Sequence, residues 1–219
     1  MVVITDKLVE LNNVSIEYLG HAGFRIKILD KNIKIYIDPY NLSNPKSFAD
    51  YIFITHPHFD HYSAKDISKI RTQSTKMIIP YELSSEYPTS SIVMQPATSY
   101  DFVTFGVDAI EAYNKYSSYH PKEKRWLGYI FKINGIRIYH AGDTDYIPEM
   151  SVAYGCDVIM LPIGGKFTMD SEEAAEVCKH LKPKLVIPMH FGSIVGTNEN
   201  PESFREKAPC EVAIMYPVN

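Results

Sequence analysis

The stretch Thr55-His56-Pro57-His58-Phe59-Asp60-His61-Tyr62 places three histidines and one carboxylate within six residues. Imidazole nitrogens suit zinc, iron and manganese, and a carboxylate can complete such a site. Residues two apart on an extended chain point the same way, so His56 and His58 are expected to hold one metal ion from one side. Asp60 and His61 follow where the chain turns and are expected to face a second ion. The alternative is a polar loop with surface histidines, but eight histidines in 219 residues would rarely cluster so tightly. Two metal ions about 3.5–4 Å apart can share a water, lower its pKa toward neutrality and polarise a carbonyl or phosphoryl oxygen. The chemistry predicted is hydrolysis by a metal-bound hydroxide, with Asp60 also placed to orient the attacking water.

This H-x-H-x-D-H pattern after an apolar strand resembles the signature of the metallo-β-lactamase superfamily. Later segments resemble the rest of that signature in the expected order. Gly142-Asp143-Thr144 is similar to its G-D-T segment, Pro188-Met189-His190-Phe191-Gly192 to its late histidine segment, and Ile37-Asp38-Pro39 to the early Asp that braces the metal loop. Leu19-Gly20-His21-Ala22-Gly23-Phe24 and Tyr139-His140-Ala141-Gly142-Asp143-Thr144 resemble a narrower branch of small metal-dependent hydrolases. That branch includes relatives of ascorbate-6-phosphate lactonase and N-acyl-phosphatidylethanolamine phospholipase D. The likeness runs from about Tyr18 to about Phe204. It implies an α/β fold, the four-layer αββα sandwich, in a single domain over residues 1–219. It also implies that His56 and His58 serve the first metal and Asp60 and His61 the second, with Asp143 bridging the two and His190 completing the second. Asp38 would fix a ligand imidazole through its other nitrogen. Taken alone, Asp143 would more readily be read as a carboxylate capping a turn after a strand; its place in the motif series favours a ligand.

One position departs from the family pattern. A histidine is expected between the two main motifs, in an Ala-aromatic-His context. The corresponding stretch reads Glu111-Ala112-Tyr113-Asn114, and the only histidine between the motifs is His120. Either His120 swings in from the loop, or Asn114 supplies a weak oxygen ligand or none, which would leave the first site open and weak. The greater affinity of imidazole for these metals favours His120.

Other residues carry two readings each. His21 is a substrate contact or support for the metal ligands, or else a hydrogen-bonded turn histidine. His140, at a strand end, is either catalytic or a satisfied core residue. Lys166, in Gly164-Gly165-Lys166-Phe167, could meet a phosphate or carboxylate, or belong to a simple turn; the spacing is not that of a P-loop. His180 reads as a surface residue near a helix C-terminus.

The elements that must position these residues are legible as short runs. Strands are expected over Val14–Leu19, Phe24–Leu29, Ile33–Ile37 and Tyr51–Ile54, the last feeding the metal loop. A helix opens at Ser63, with Ser63 and Asp66 placed as a capping pair. Further strands are expected near Met77–Pro80, Ile92–Met94, Phe102–Phe105 and Val107–Ala112. Asn134-Gly135 marks a hairpin between Leu127–Ile133 and Ile136–His140. Asp157–Leu161 and Leu185–Pro188 are apolar and short. Asp170–Leu181 has helical periodicity, and Pro201–Lys207 is a further helix.

Composition bounds the rest. A hydrophobic fraction of 45% and a charged fraction of 22% are those of an ordinary globular chain. The net charge of −4, without a broad basic face, argues against nucleic acid. Neither a signal peptide nor a membrane span is visible. Three scattered cysteines without a C-x-x-C suggest reduced thiols and a cytoplasmic location. The expected function is a hydrolase with two divalent ions, zinc ahead of manganese or iron, acting on a small ester, lactone or phosphodiester. A homo-oligomer is compatible with this. The competing reading is a non-catalytic metal-binding or regulatory protein of the same fold.

Overall fold

A computed structural model describes residues 2–45, 47–87, 89, 91–194 and 201–218. The chain divides into two compact units, one over 1–94 and 215–219, the other over 95–214. Among the described residues, no helix is long and apolar enough to cross a membrane.

The first unit is built on one sheet. Its strands are β1 (Val3–Ile4), β2 (Leu8–Leu11), β3 (Val14–Gly20), β4 (Gly23–Ile28), β5 (Ile33–Ile37), β6 (Tyr51–Phe53), β7 (Lys76–Pro80) and β8 (Ser91–Met94), and they lie side by side in chain order. Pairing is antiparallel from β1 to β5 and parallel from β5 to β8. Helix α1 (Ala64–Ile70) makes the crossover from β6 to β7. Ser63 caps it by accepting the Asp66 N–H at 3.2 Å. Alternation along the strands puts Ile52, Ile54, Met77 and Ile79 in one buried cluster with Ile67 and Ile70 of α1. Each such fully buried aliphatic side chain contributes about 1.5–3 kcal/mol relative to exposure.

The second unit repeats the plan. β9 (Thr98–Asp101), β10 (Gly106–Glu111), β11 (Leu127–Ile133) and β12 (Ile136–His140) pair antiparallel. β13 (Val158–Pro162), β14 (Leu185–Met189) and β15 (Glu211–Val212) continue the sheet in parallel. Helix α2 (Ser171–Leu181) precedes β14, and α3 (Pro201–Lys207) precedes β15. Asp170 caps α2 by accepting the Glu172 and Glu173 N–H groups, and Lys182 in a left-handed conformation ends it. The buried face of α2 carries Ala174, Ala175, Val177, Cys178 and Leu181.

One expected strand is displaced. Phe102–Phe105 forms the turn rather than the strand: the Phe102 N–H donates to the Phe105 carbonyl at 2.8 Å and the two rings stack at 4.5 Å. The strand lies just before it, at Thr98–Asp101, where every residue is exposed and no apolar alternation marks it.

Strand direction determines where chemistry collects. β3, β5 and β6 run the same way, so their C-terminal ends share one edge of the first sheet. His21, Asp38 and the His56–His61 loop all follow those ends. By the same reasoning β10, β12 and β14 share one edge of the second sheet, and Asn114, Asp143 and His190 follow them. The C-terminal ends of strands are where open α/β sheets bind ligands.

Candidate metal centre

In the first unit, Asp38 organises the histidine loop. It is fully buried and sits at φ +44°, in the left-handed region that non-glycine residues rarely adopt. Its Oδ1 accepts the Thr55 N–H at 2.8 Å, while Oδ2 accepts the Thr55 hydroxyl at 2.6 Å and meets His61 Nδ1 at 2.8 Å. Thr55 Oγ1 in turn lies 2.9 Å from His56 Nδ1. Both histidines are thus held through Nδ1, the arrangement in which Nε2 would be the atom offered to a metal.

The loop then folds back on itself. The His61 and Tyr62 N–H groups both donate to the His58 carbonyl, at 3.0 and 2.8 Å. That turn brings the His61 ring against His56, with centroids 4.0 Å apart and the rings tilted by 45°. His56 Nε2 and His58 Nδ1 face each other at 3.1 Å. Two nitrogens bound to one tetrahedral zinc at 2.0–2.1 Å would stand about 3.3 Å apart. The donor set and its spacing therefore fit a metal.

His21 joins this group from the end of β3. It too has a positive φ, +55°, and its Nε2 lies 2.9 Å from Asp60 Oδ2. Donor atoms of His21, Asp60 and His61 lie within 4.8 Å of one another. The Tyr18 hydroxyl donates to the His21 carbonyl at 2.9 Å, and burial pushes that phenol's pKa well above its ordinary value.

In the second unit the donors come from distant parts of the chain. Asp143 Oδ2 lies 2.9 Å from His190 Nε2 and 3.3 Å from His120 Nε2, and all three residues are buried. His120 therefore reaches Asp143, and Asn114 supports it. Asn114 Oδ1 accepts the His120 N–H at 3.1 Å and lies 2.8 Å from His120 Nδ1. Its Nδ2 donates to Asp145 Oδ1 at 2.8 Å and to the Phe167 carbonyl at 2.9 Å. With the amide oxygen turned to His120, Asn114 acts on this imidazole as Asp38 acts on His61.

His190 sits at φ +58° against Gly164. A Cβ at Gly164 would lie 2.6 Å from the His190 carbonyl oxygen and 3.3 Å from its Nδ1. The glycine in Gly164-Gly165-Lys166 thus leaves room for His190. Backbone strain at such positions costs on the order of 1–3 kcal/mol each and persists where the surroundings enforce it.

Comparison with known proteins agrees with this chemistry. The Beta-lactamase superfamily domain matches residues 15–190. A UPF0173 metal-dependent hydrolase of Thermococcus kodakarensis is 34% identical over 221 residues, covering 93% of this chain and 97% of that protein. The chain belongs to this family.

Solved structures share the fold of this UPF0173 chain. One from Parabacteroides distasonis superposes with a TM-score of 0.83 over 99% of both chains at 23% identity. Igni18, a metallo hydrolase from Ignicoccus hospitalis, gives a TM-score of 0.76 over 93% of this chain and 95% of its own, at 27% identity. The α/β metallo-β-lactamase fold expected from the motifs is therefore the fold of this chain.

The remaining candidates fall elsewhere. His140 is fully buried at the end of β12, where its Nδ1 accepts the Gly142 N–H at 3.2 Å. Lys166 is exposed, with Nζ 4.9 Å from the Phe167 ring centroid. His180 Nδ1 lies 2.8 Å from the Glu176 carbonyl on α2, a helix-end contact. Sequence reasoning passed over Thr55, Asp145 and Trp126. Thr55 adjoins the first histidine and could have been suspected. Asp145, which holds Asn114, and Trp126, whose ring centroid is 5.6 Å from that of His120, carry no local signal.

Proposed function

We propose that this metal-dependent hydrolase uses a binuclear centre to cleave a small ester, lactone or phosphodiester. The reading takes residues 1–219 as one domain carrying one centre. His56, His58 and His120 would hold the first ion, Asp60, His61 and His190 the second, and Asp143 would be shared. Zinc suits this set of imidazoles and carboxylates, with manganese and iron as alternatives. Bound divalent ions would acidify a water and polarise the substrate's oxygen. Within this scheme Asp38 and Asn114 hold imidazoles in their coordinating tautomers, and His21 fixes the Asp60 carboxylate that orients the attacking water.

The observation that carries the reading is the pair of imidazole nitrogens at 3.1 Å on a loop braced by a buried carboxylate. The closely related proteins carry the name metal-dependent hydrolase, which supports the same reaction class. Among substrates, a phosphodiester fits two ions best, because they can serve both the attacking and the leaving oxygen. The reading keeps a small-molecule substrate, no nucleic-acid partner and a cytoplasmic setting in which Cys156, Cys178 and Cys210 stay thiols.

Elemental analysis of protein purified without chelator should give about two metal equivalents per chain, as a two-metal site requires. A panel of esters, lactones and phosphodiesters then provides a turnover assay for Asp60→Asn. Most turnover should disappear while the circular dichroism spectrum stays unchanged. Turnover that survives both this substitution and chelation would sink the proposal. Absence of metal even after zinc, manganese or iron is added back would favour the non-catalytic reading.

A further inference from the structure

The first unit contains a polar cavity of about 590 Å³, and none of the metal-loop residues is among the described residues that line it. It opens on the face of the sheet formed by alternate residues of β3, β4 and β5, bounded on one side by Leu42–Pro45 and Ser47 and on another by Pro217 and Val218. Its volume is that of a small-molecule site.

Its charge is unusual for this chain. Lys7, Arg25, Lys27 and Lys34 line it, and Glu17 is the only carboxylate among the described lining residues. The protein as a whole carries −4. Strand register sharpens the imbalance, because Lys27 stands directly opposite Lys34 on the neighbouring strand. Like charges placed directly opposite destabilise a sheet. Glu17 lies 2.5 Å from Arg25 and 2.7 Å from Lys27, so this carboxylate is already shared between two cations. Lys7 and Lys34 have no carboxylate partner among the described residues; Lys34 Nζ reaches only the Asn32 amide oxygen, at 3.4 Å.

Arg25 is built in rather than dangling. It is 8% exposed, and its Nε donates to Glu17 while Nη1 donates to the Tyr36 hydroxyl at 3.0 Å and to Ser47 Oγ at 3.2 Å. Nη2 has no hydrogen-bond partner among the described residues. The guanidinium is thus held in one orientation with donor capacity left over, which lowers the entropy cost of binding an oxyanion. Leu42 and Val218 give the same cavity an apolar wall.

We propose that this cavity binds a small organic phosphate. The phosphate would sit between Arg25, Lys27 and Lys34, offsetting their mutual repulsion, with the carbon portion against Leu42 and Val218. This site is separate from the metal donors and does not depend on what they hydrolyse.

Calorimetric titration with phenylphosphonate, whose carbon–phosphorus bond resists hydrolysis, tests this on the intact protein. Inorganic phosphate and vesicles of phosphatidylglycerol serve as parallel probes. Phenylphosphonate should saturate below about 1 mM, more tightly than inorganic phosphate, and binding should weaken as ionic strength rises. Lys7→Ala combined with Lys34→Ala removes two cations that brace nothing and should weaken binding about tenfold or more. Arg25→Lys keeps the charge but loses the fork and should also weaken it. Binding that is unchanged in the double variant would place the anion elsewhere, the metal centre included, and overturn the proposal. No binding at about 1 mM, or binding to vesicles alone, would overturn it as well.

Discussion

The two donor groups reach similar chemistry by opposite routes. In the first unit, three imidazoles and a carboxylate lie on one short loop, and a single buried carboxylate, Asp38, braces it through three hydrogen bonds. In the second unit, His120, Asp143 and His190 come from three separate connections, and each is steadied by a different device. Asn114 orients His120, Gly164 makes room for His190, and the Gly142 N–H bonds back to His140 at the turn before Asp143. A contiguous group concentrates its support in one residue. A dispersed group spreads its support over several, so the loss of one should be felt locally.

That contrast is broken most severely at Asp38. Asp38→Ala would leave the Thr55 N–H, the Thr55 hydroxyl and His61 Nδ1 buried without their acceptor. At about 1–3 kcal/mol for each unsatisfied group, with partial relaxation, a stability loss of about 3–5 kcal/mol is expected. Metal affinity should fall by about 10–100-fold, the usual cost of losing a ligand's outer partner. Chemical denaturation and metal titration measure both. Unchanged affinity would show that the loop holds its shape without the brace.

Asn114→Ala sharpens the comparison from the other side. His120 would lose the partner of its Nδ1, while Asp143 and His190 would keep their contacts. A loss of about tenfold in metal affinity is expected, smaller than at Asp38 and confined to one ion. Trp126 provides a local readout, because it is the only tryptophan and its ring lies 5.6 Å from His120. Its fluorescence should respond to metal in the parent protein and respond less in the variant. An Asn114→Ala protein with full affinity and an unaltered fluorescence response would mean that His120 needs no holder.

The same contrast explains what could be read from the sequence. The loop His56–His61 announces itself because strand alternation and a tight turn convert short spacing directly into geometry, whereas its brace Asp38 was legible only through the likeness of Ile37-Asp38-Pro39 to the family motif. The strands leading to them are apolar and short, and most were legible for that reason. His120 was harder, because a six-residue gap from Asn114 says nothing of direction until the Asn114 and His120 backbones are seen to pair, N–H to carbonyl, at 2.8 Å. What Gly164 makes room for was not legible in the sequence, since a glycine's neighbour depends on tertiary packing. The exposed edge strand at Thr98–Asp101 was missed because hydrogen bonding to β10, not burial, makes it a strand.

How far the bracing of the first group extends can be tested at Asp66, where the smallest effect is expected. Asp66 accepts the Asn41 and Leu42 N–H groups at 2.8 and 3.1 Å, tying the segment after Asp38 to α1. Ser63 Oγ and Lys69 Nζ also donate to it, at 2.8 and 2.7 Å. Burial alone would raise the pKa of this carboxyl, but the Lys69, Ser63 and Asn41 hydrogen bonds outweigh it and hold the pKa below the ordinary value. A carboxyl with a depressed folded-state pKa stabilises the fold at pH values above its unfolded pKa, near 4, and loses that contribution as pH falls through the folded value. Asp66→Asn should therefore cost about 1 kcal/mol at pH 7, with the gap to the parent protein closing progressively below about pH 4. Denaturation midpoints measured across that range decide the matter. A gap that stays constant with pH would mean that the charge of Asp66 contributes nothing, and that the loop behind Asp38 is held by shape alone.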